Sequence, residues 1–241
     1  MKRFQRGLLL NPFRFGAAPP TDPNFANVVL LLHMDGADAS TTFTDHSSSA
    51  KTVTANGNAQ IDTAQSKFGG ASGLFDGTGD YLSLASHADF GFGTGAYTIE
   101  GWVRFTGTSA DKCVFDTRTG SNTGIGIYVD QSLANAGNRL TLTSNTSTIG
   151  GVSSTQFAAS SAFQHWAVCK SGTTVRGFID GTQVWSITDS RTLASASTAF
   201  LAANYLGTQA FSGHLDDVRV TKGVARYTSG FTPPAAAFPN S

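Results

Sequence analysis

The stretch from residue 164 to residue 187, QHWAVCKSGTTVRGFIDGTQVWSI, reads as a three-stranded β-meander. HWAVCK, TVRGFI and QVWSI are short runs rich in β-branched and aromatic residues, and Asp180-Gly181 joins the second to the third. An Asp-Gly pair between strand runs marks a two-residue type I′ turn, because both central residues must take positive φ. The fold class follows from this local chemistry: antiparallel sheet.

The same signature recurs outward in both directions. In Tyr97–Phe105, Ile99, Gly101 and Val103 alternate with Glu100, Trp102 and Arg104, giving one small-aliphatic face and one mixed face. Leu82 and Leu84 share a face opposite Tyr81 and Ser83. VVLLLHM at 28–34 is apolar throughout, as expected of a strand covered on both faces, and Asp35-Gly36 then forces a turn. Cys113–Thr117, Gly124–Val129, Arg139–Thr143, Phe200–Leu206 and His214–Val220 are further expected strands. Thr221–Thr228 is expected to form one helical turn before Pro233-Pro234 ends regular structure.

Composition supports the same reading. Charged residues are only 13% and glycines number 27, which suits short strands and tight turns over surface helices. Of the sixteen acidic residues, Glu100 is the only glutamate. A chain of 241 residues fits a single all-β unit, since such domains often run to about 200–250 residues. The expected layout is an extended arm over 1–26, one domain over 27–238 and a tail over 239–241.

The net charge of zero is unevenly placed, because Lys2, Arg3, Arg6 and Arg14 give residues 1–21 a charge of +4 and leave −4 for the rest. The arm starts like an export signal, but its apolar run Leu8–Leu10 is broken by Asn11-Pro12, far short of the roughly 7–15 apolar residues required. With no long apolar stretch either, a soluble protein without membrane contact is expected. Cys113 and Cys169 lie within apolar strand patterns and are expected to be buried thiols.

Three phrases in fixed order, TIEGWVRF at 98–105, HWAVCKSGTTVRGFIDG at 165–181 and FSGHLDDVRVTKGVARY at 211–227, resemble the LamG-like domains of the concanavalin A-like lectin/glucanase superfamily. The resemblance implies a two-sheet antiparallel jelly-roll sandwich. The closing KGVARYTSGFTPP resembles the version found in bacteriophage virion proteins, which implies a virion setting for a protein made in the host cytoplasm.

The superfamily includes hydrolases of β-glucans, whose chemistry needs two carboxylates about 5–5.5 Å apart for retention, both glutamates in this family. One glutamate cannot supply them, so a noncatalytic protein is expected. The histidines stand in no metalloprotease motif, and His33 and His165 read as structural. The resemblance also implies one structural Ca²⁺ where the turn after the first strand meets the closing strand, with Asp35 and Asp38 on one side and Asp216 or Asp217 on the other. Asp35 in an Asx turn and Asp217 paired with Arg219 or a neighbouring strand is the alternative. Asp76 and Asp80 in FDGTGDY read as turn chemistry.

For carbohydrate, the exposed-aromatic candidates are Trp185, Tyr128 and Tyr205, against the alternative that each packs inside; Trp102 and Trp166 read as core. The arm mixes Phe4, Leu8, Leu9, Leu10, Phe13 and Phe15 with Lys2, Arg3, Arg6 and Arg14, a composition suited to docking on a partner. No basic patch continues into the body, so nucleic acid is not an expected partner. The expected function is a noncatalytic virion component, a capsid decoration protein or a tail or fibre accessory. It would be anchored by the arm to capsid or tail proteins, homo-oligomeric and trimeric at a threefold site, with a lectin-like domain facing host glycans. A Ca²⁺-dependent lectin outside any virion is the alternative.

Overall fold

A computed structural model describes residues 21–105, 112–119, 124–130, 139–144, 147–150, 156–158, 162–194 and 196–241. The ten arm positions named for partner docking, Lys2 to Phe15, lie outside the described residues. The strands in chain order are β1 Val28–Leu32, β2 Thr54–Asn56, β3 Gln60–Asp62, β4 Ser72–Asp76, β5 Tyr81–His87, β6 Tyr97–Phe105, β7 Lys112–Asp116, β8 Gly126–Asp130, β9 Arg139–Ser144, β10 Ser147–Gly150, β11 Gln164–Ser171, β12 Thr174–Ile179, β13 Thr182–Thr188, β14 Ser197–Leu201 and β15 Ser212–Lys222.

Among the described residues these strands form two antiparallel sheets. The larger has the order β13-β12-β11-β6-β15-β4-β3, with β1 alongside the second half of β15. The smaller runs β10-β9-β8-β7-β14-β5-β2. Sheet exchange by successive strands is the jelly-roll arrangement. The inner faces meet as the alternation requires: Ile99, Val103, Trp166, Leu215 and Val220 of the large sheet pack with Leu82, Phe115, Ile127, Leu142 and Leu201 of the small one. Each such side chain contributes about 1.5–3 kcal/mol on burial.

The Asp180-Gly181 hairpin forms as expected, with φ of 46° and 75° at its two central residues. Two expectations fail. The strand placed over Phe200–Leu206 stops at Leu201, because Ala202 turns to a φ of 65° and Asn204 organises a loop. The helical turn over Thr221–Thr228 is absent: Thr221 and Lys222 belong to β15, and Thr98 Oγ1 donates to the Val224 carbonyl and accepts from the Arg226 amide. A side chain of β6 thus takes the bonds a helix would have used.

Residues 223–241 then cross the outer face of the large sheet. The Tyr227 and Phe231 rings stack 3.5 Å apart at 5° and cover Ala167, Cys169 and Phe178, while Phe238 covers Val28 and Leu31. This is why β1 is apolar on both faces. Cys113 and Cys169 are buried free thiols, as expected.

Candidate functional site

The outer face of the large sheet is filled by a buried ionic network. Glu100 lies opposite Arg219 in the β6–β15 register and accepts from its Nη2 at 2.7 Å and its Nε at 3.0 Å. Tyr227 donates to the other Glu100 oxygen at 2.8 Å, and His165 Nε2 lies 3.4 Å from it. Arg219 also reaches Asp22, which Arg226 grips through two nitrogens at 2.6 and 3.0 Å. Burial alone would raise the Glu100 carboxyl, but the Arg219 charge, with His165, holds it at about 2. The sole glutamate is a fully buried structural anion.

Of the four aspartates expected to hold Ca²⁺, Asp38, Asp216 and Asp217 belong to separate bonding sets and Asp35 accepts from the Ala71 amide. A bulge in β15 gives Asp217 a φ of 46° and turns it away from Asp216. Asp217 meets His33 Nδ1 at 2.6 Å and accepts from the Phe238 amide at 2.8 Å, and His33 Nε2 donates to Asn240 Oδ1 at 2.7 Å. Asp38 accepts from the amide and hydroxyl of Thr63. Asp216 accepts from the Lys67 and Phe68 amides, and its second oxygen is buried without a partner. Burial, with Asp217 and Asp35 nearby, pushes the Asp216 carboxyl up to about 7. Among the described residues no three His, Cys, Asp or Glu side chains converge to hold a metal, so the four do not fit one calcium ion. His33 is held by side chains of the closing strand and tail, a structural role. Asp80 accepts from the Asn58 and Asp76 amides, the expected turn chemistry.

The outer face of the small sheet carries a different constellation. Ser83, Phe200, Asp116, Gly126 and Thr143 lie side by side across β5, β14, β7, β8 and β9. Over this row lies Arg118, whose Nε donates to both Asp116 oxygens at 3.1 and 3.0 Å and whose Nη2 donates to Oδ2 at 2.5 Å. Its guanidinium sits 5.2 Å from the Tyr128 ring and 5.4 Å from the Tyr205 ring. Gly126 makes this possible. A Cβ there would stand 2.7 Å from the Tyr128 ring and 3.0 Å from the Arg118 guanidinium carbon.

The loop between β14 and β15 is pinned to the same pair. The Tyr205 amide donates to Asp116 Oδ2 at 3.2 Å. Asn204 Oδ1 accepts from the Leu206 and Thr208 amides, and its Nδ2 donates to Gln209 Oε1 at 2.8 Å. Tyr128 bonds Arg118 Nη2 and donates to the same Gln209 oxygen. Beside the loop, Gly207 lies against Tyr81, whose ring is 6.1 Å from that of Phe200. The result is a rigid loop presenting the half-buried Tyr205 ring and Leu206, which is 65% exposed. Burial works against charge on Arg118, but the Asp116 side chain beneath it raises its pKa, so the guanidinium stays charged; at Asp116 burial outweighs the bonds from Arg118 and raises the carboxyl.

Tyr128 and Tyr205 thus come together, in different roles: Tyr205 offers a ring face, and Tyr128, buried, supports it. Trp185 does not join them. It is buried in the core, its Nε1 donates to the Leu140 carbonyl at 2.7 Å, and Gly150 and Gly177 leave the slot its ring fills. Trp166 is core as expected, whereas Trp102 is buried on the outer face of the large sheet, edge-on to Phe68 and beneath Lys67 Nζ at 3.9 Å. Asp116, Arg118 and Gln209 escaped the sequence reading; the turn residues Asn204 and Gly207 flanking Tyr205-Leu206 were the available signal.

The family model of the concanavalin A-like lectin/glucanases superfamily matches residues 76–226. Domain 4 of AbnA, a GH43 extracellular arabinanase from Geobacillus stearothermophilus solved with arabinotriose, superposes with a TM-score of 0.61 at 18% identity, over 83% of this chain and 94% of that one. A structure of botulinum neurotoxin type C, described as interacting with two ganglioside molecules, gives a TM-score of 0.59 at 12% identity over 83% of this chain and 49% of that one. The binding domain of botulinum neurotoxin DC in complex with SialylT gives 0.57 at 13% identity, over 83% and 49%. This chain therefore spans about half the length of the toxin chains. No curated protein sequence matches it significantly.

Proposed function

Because the chain belongs to the concanavalin A-like lectin/glucanases superfamily, we propose that it is a noncatalytic glycan-binding module whose site is the Tyr205 loop on the small sheet. One observation carries this: an aromatic ring and an exposed leucine are held rigid by a buried ion pair that no strand requires. Sugar recognition needs an apolar face fixed beside a few polar groups, and preorganisation lowers the entropy cost of binding. On the outer face of the large sheet, residues 223–241 cover Val28, Leu31, Ala167, Cys169 and Phe178, and Phe68 and Lys67 cover Trp102. Like-folded proteins solved with arabinotriose or described with gangliosides support the class of ligand. Glu100 is committed to Arg219 and Tyr227, which supports a binding role without turnover.

A glycan array read with wild type and Tyr205→Ala, with and without chelator, tests this. Binding is expected to fall with Tyr205→Ala and to survive the chelator, because no three metal-ligating side chains converge among the described residues. Binding untouched by Tyr205→Ala would move the site. The finer setting, a homo-oligomeric virion component anchored by the arm positions Lys2 to Phe15, is proposed from the closing phrase KGVARYTSGFTPP and from the opposite charges of arm and body. Undiminished particle occupancy after deletion of residues 1–20 would remove the anchoring role.

A further inference from the structure

We infer that the Tyr205 site selects uncharged sugars over acidic ones, an inference that rests on the glycan-binding reading above. The only cation touching the Tyr205 ring among the described residues is Arg118, and it is already spent. It is 7% exposed, lies between two tyrosine rings, and is bonded to both oxygens of Asp116, which is itself fully buried. A sialic or uronic carboxylate would have to draw Arg118 away from Asp116, leaving that carboxylate buried and unpaired. Such an exchange is unfavourable in a desolvated site, because the ligand must bring more than the pair it breaks.

The groups left for a ligand suit a neutral sugar. Tyr205 offers a ring face for the C–H face of a pyranose or furanose, and Leu206 extends it. Gln209 has its Oε1 occupied by Tyr128 and Asn204, so the orientation of its amide is fixed and its Nε2 is the donor the loop can present to a sugar hydroxyl. Both Asp116 oxygens are engaged by Arg118 and by the Tyr205 amide, so the carboxylate does not compete for the ligand. Recognition is then by shape and hydrogen bonds, without ion pairing.

The test is calorimetric titration of the full chain with neutral arabino-, xylo- and cello-oligosaccharides and with acidic oligogalacturonate and sialyllactose. Neutral ligands are expected to bind with an affinity that stays flat between about 0.05 and 0.5 M salt, and Tyr205→Ala is expected to weaken them about tenfold while the protein stays folded. Asp116→Asn, which releases Arg118, is expected to gain affinity for the acidic ligands; if that variant does not fold, the salt dependence of wild type reads the same property. Preference of wild type for acidic ligands, lost in Tyr205→Ala, would overturn the selectivity while leaving the site in place. Absence of any binding, or binding indifferent to Tyr205→Ala, would overturn the glycan reading itself.

Discussion

Replacing Glu100 by Gln tests the ionic network of the large sheet where it is most exposed to refutation. The carboxyl falls from 4.5 to about 2 on folding, a difference equivalent to about 3 kcal/mol at neutral pH. Because the folded value is depressed, that stabilisation is present above the unfolded pKa and is lost as pH falls toward 2. Linkage gives about 3 kcal/mol at pH 7 and about 1.5 kcal/mol near pH 3. Removing one member of a buried pair costs a similar amount, about 3–5 kcal/mol, since Arg219 would keep only Asp22 as its charged partner. Urea unfolding of wild type and Glu100→Gln, followed by tryptophan fluorescence at both pH values, measures this directly. Expected is a loss of at least about 3 kcal/mol at pH 7 that shrinks by about half near pH 3, with glycan binding unaffected. A variant within about 0.5 kcal/mol of wild type at pH 7, the range of an ordinary surface substitution, would show that the network is not what holds the sheet and tail together.

Other expectations concern separate regions. Gly126→Ala should cost about 1–3 kcal/mol by overpacking and should weaken glycan binding, because the new methyl displaces Arg118 and Tyr128; unchanged affinity in a titration would refute the support assigned to them. Burial pushes the Cys169 thiol up to about 12, so native protein should be inert to Ellman's reagent at pH 8, and Phe231→Ala should make Cys169 react about tenfold faster while Cys113 stays silent. Burial works against a charged His33, yet its bonds to Asp217 and Asn240 raise its pKa. The stabilisation is therefore complete below the unfolded value of about 6.5 and fades as pH rises through the higher folded value. Asn240→Ala should accordingly lower the melting temperature more at pH 6 than at pH 9, and an equal drop at both would contradict this.

What could be read from residue patterns was whatever the strand period controls. Ile99 and Val103 facing inward against Glu100 and Arg104, the Asp180-Gly181 turn and the doubly buried β1 all follow from local chemistry. The tail was not legible, because Tyr227 and Phe231 have no periodicity in common with the strands and acquire meaning only when Ala167, Cys169 and Phe178 lie beneath them. Aromatic exposure was equally hidden. Trp185 and Tyr205 look alike in composition, but two glycines, one on each sheet, make a slot for one, and a backbone turn at Ala202 lifts the other from the sheet. Asp216 and Asp217 look like one acidic site until the bulge in β15 separates them. Packing between elements and local breaks in the backbone, not the order of residues along one strand, decided these outcomes.

The length of β15 has a further consequence. The Tyr205 loop feeds directly into Ser212 at its start, whereas Arg219, near its end, holds Asp22, whose amide donates to the Ser241 carbonyl at 2.6 Å. Seven residue steps at about 3.3 Å put the two ends roughly 20 Å apart along the strand axis. Asp22 and Ser241 therefore share one pole of the described residues, and the Tyr205 loop sits toward the other. β15 acts as a mast, so that the Tyr205 loop stands at the far end of the strand from the pole where Asp22 and Ser241 meet.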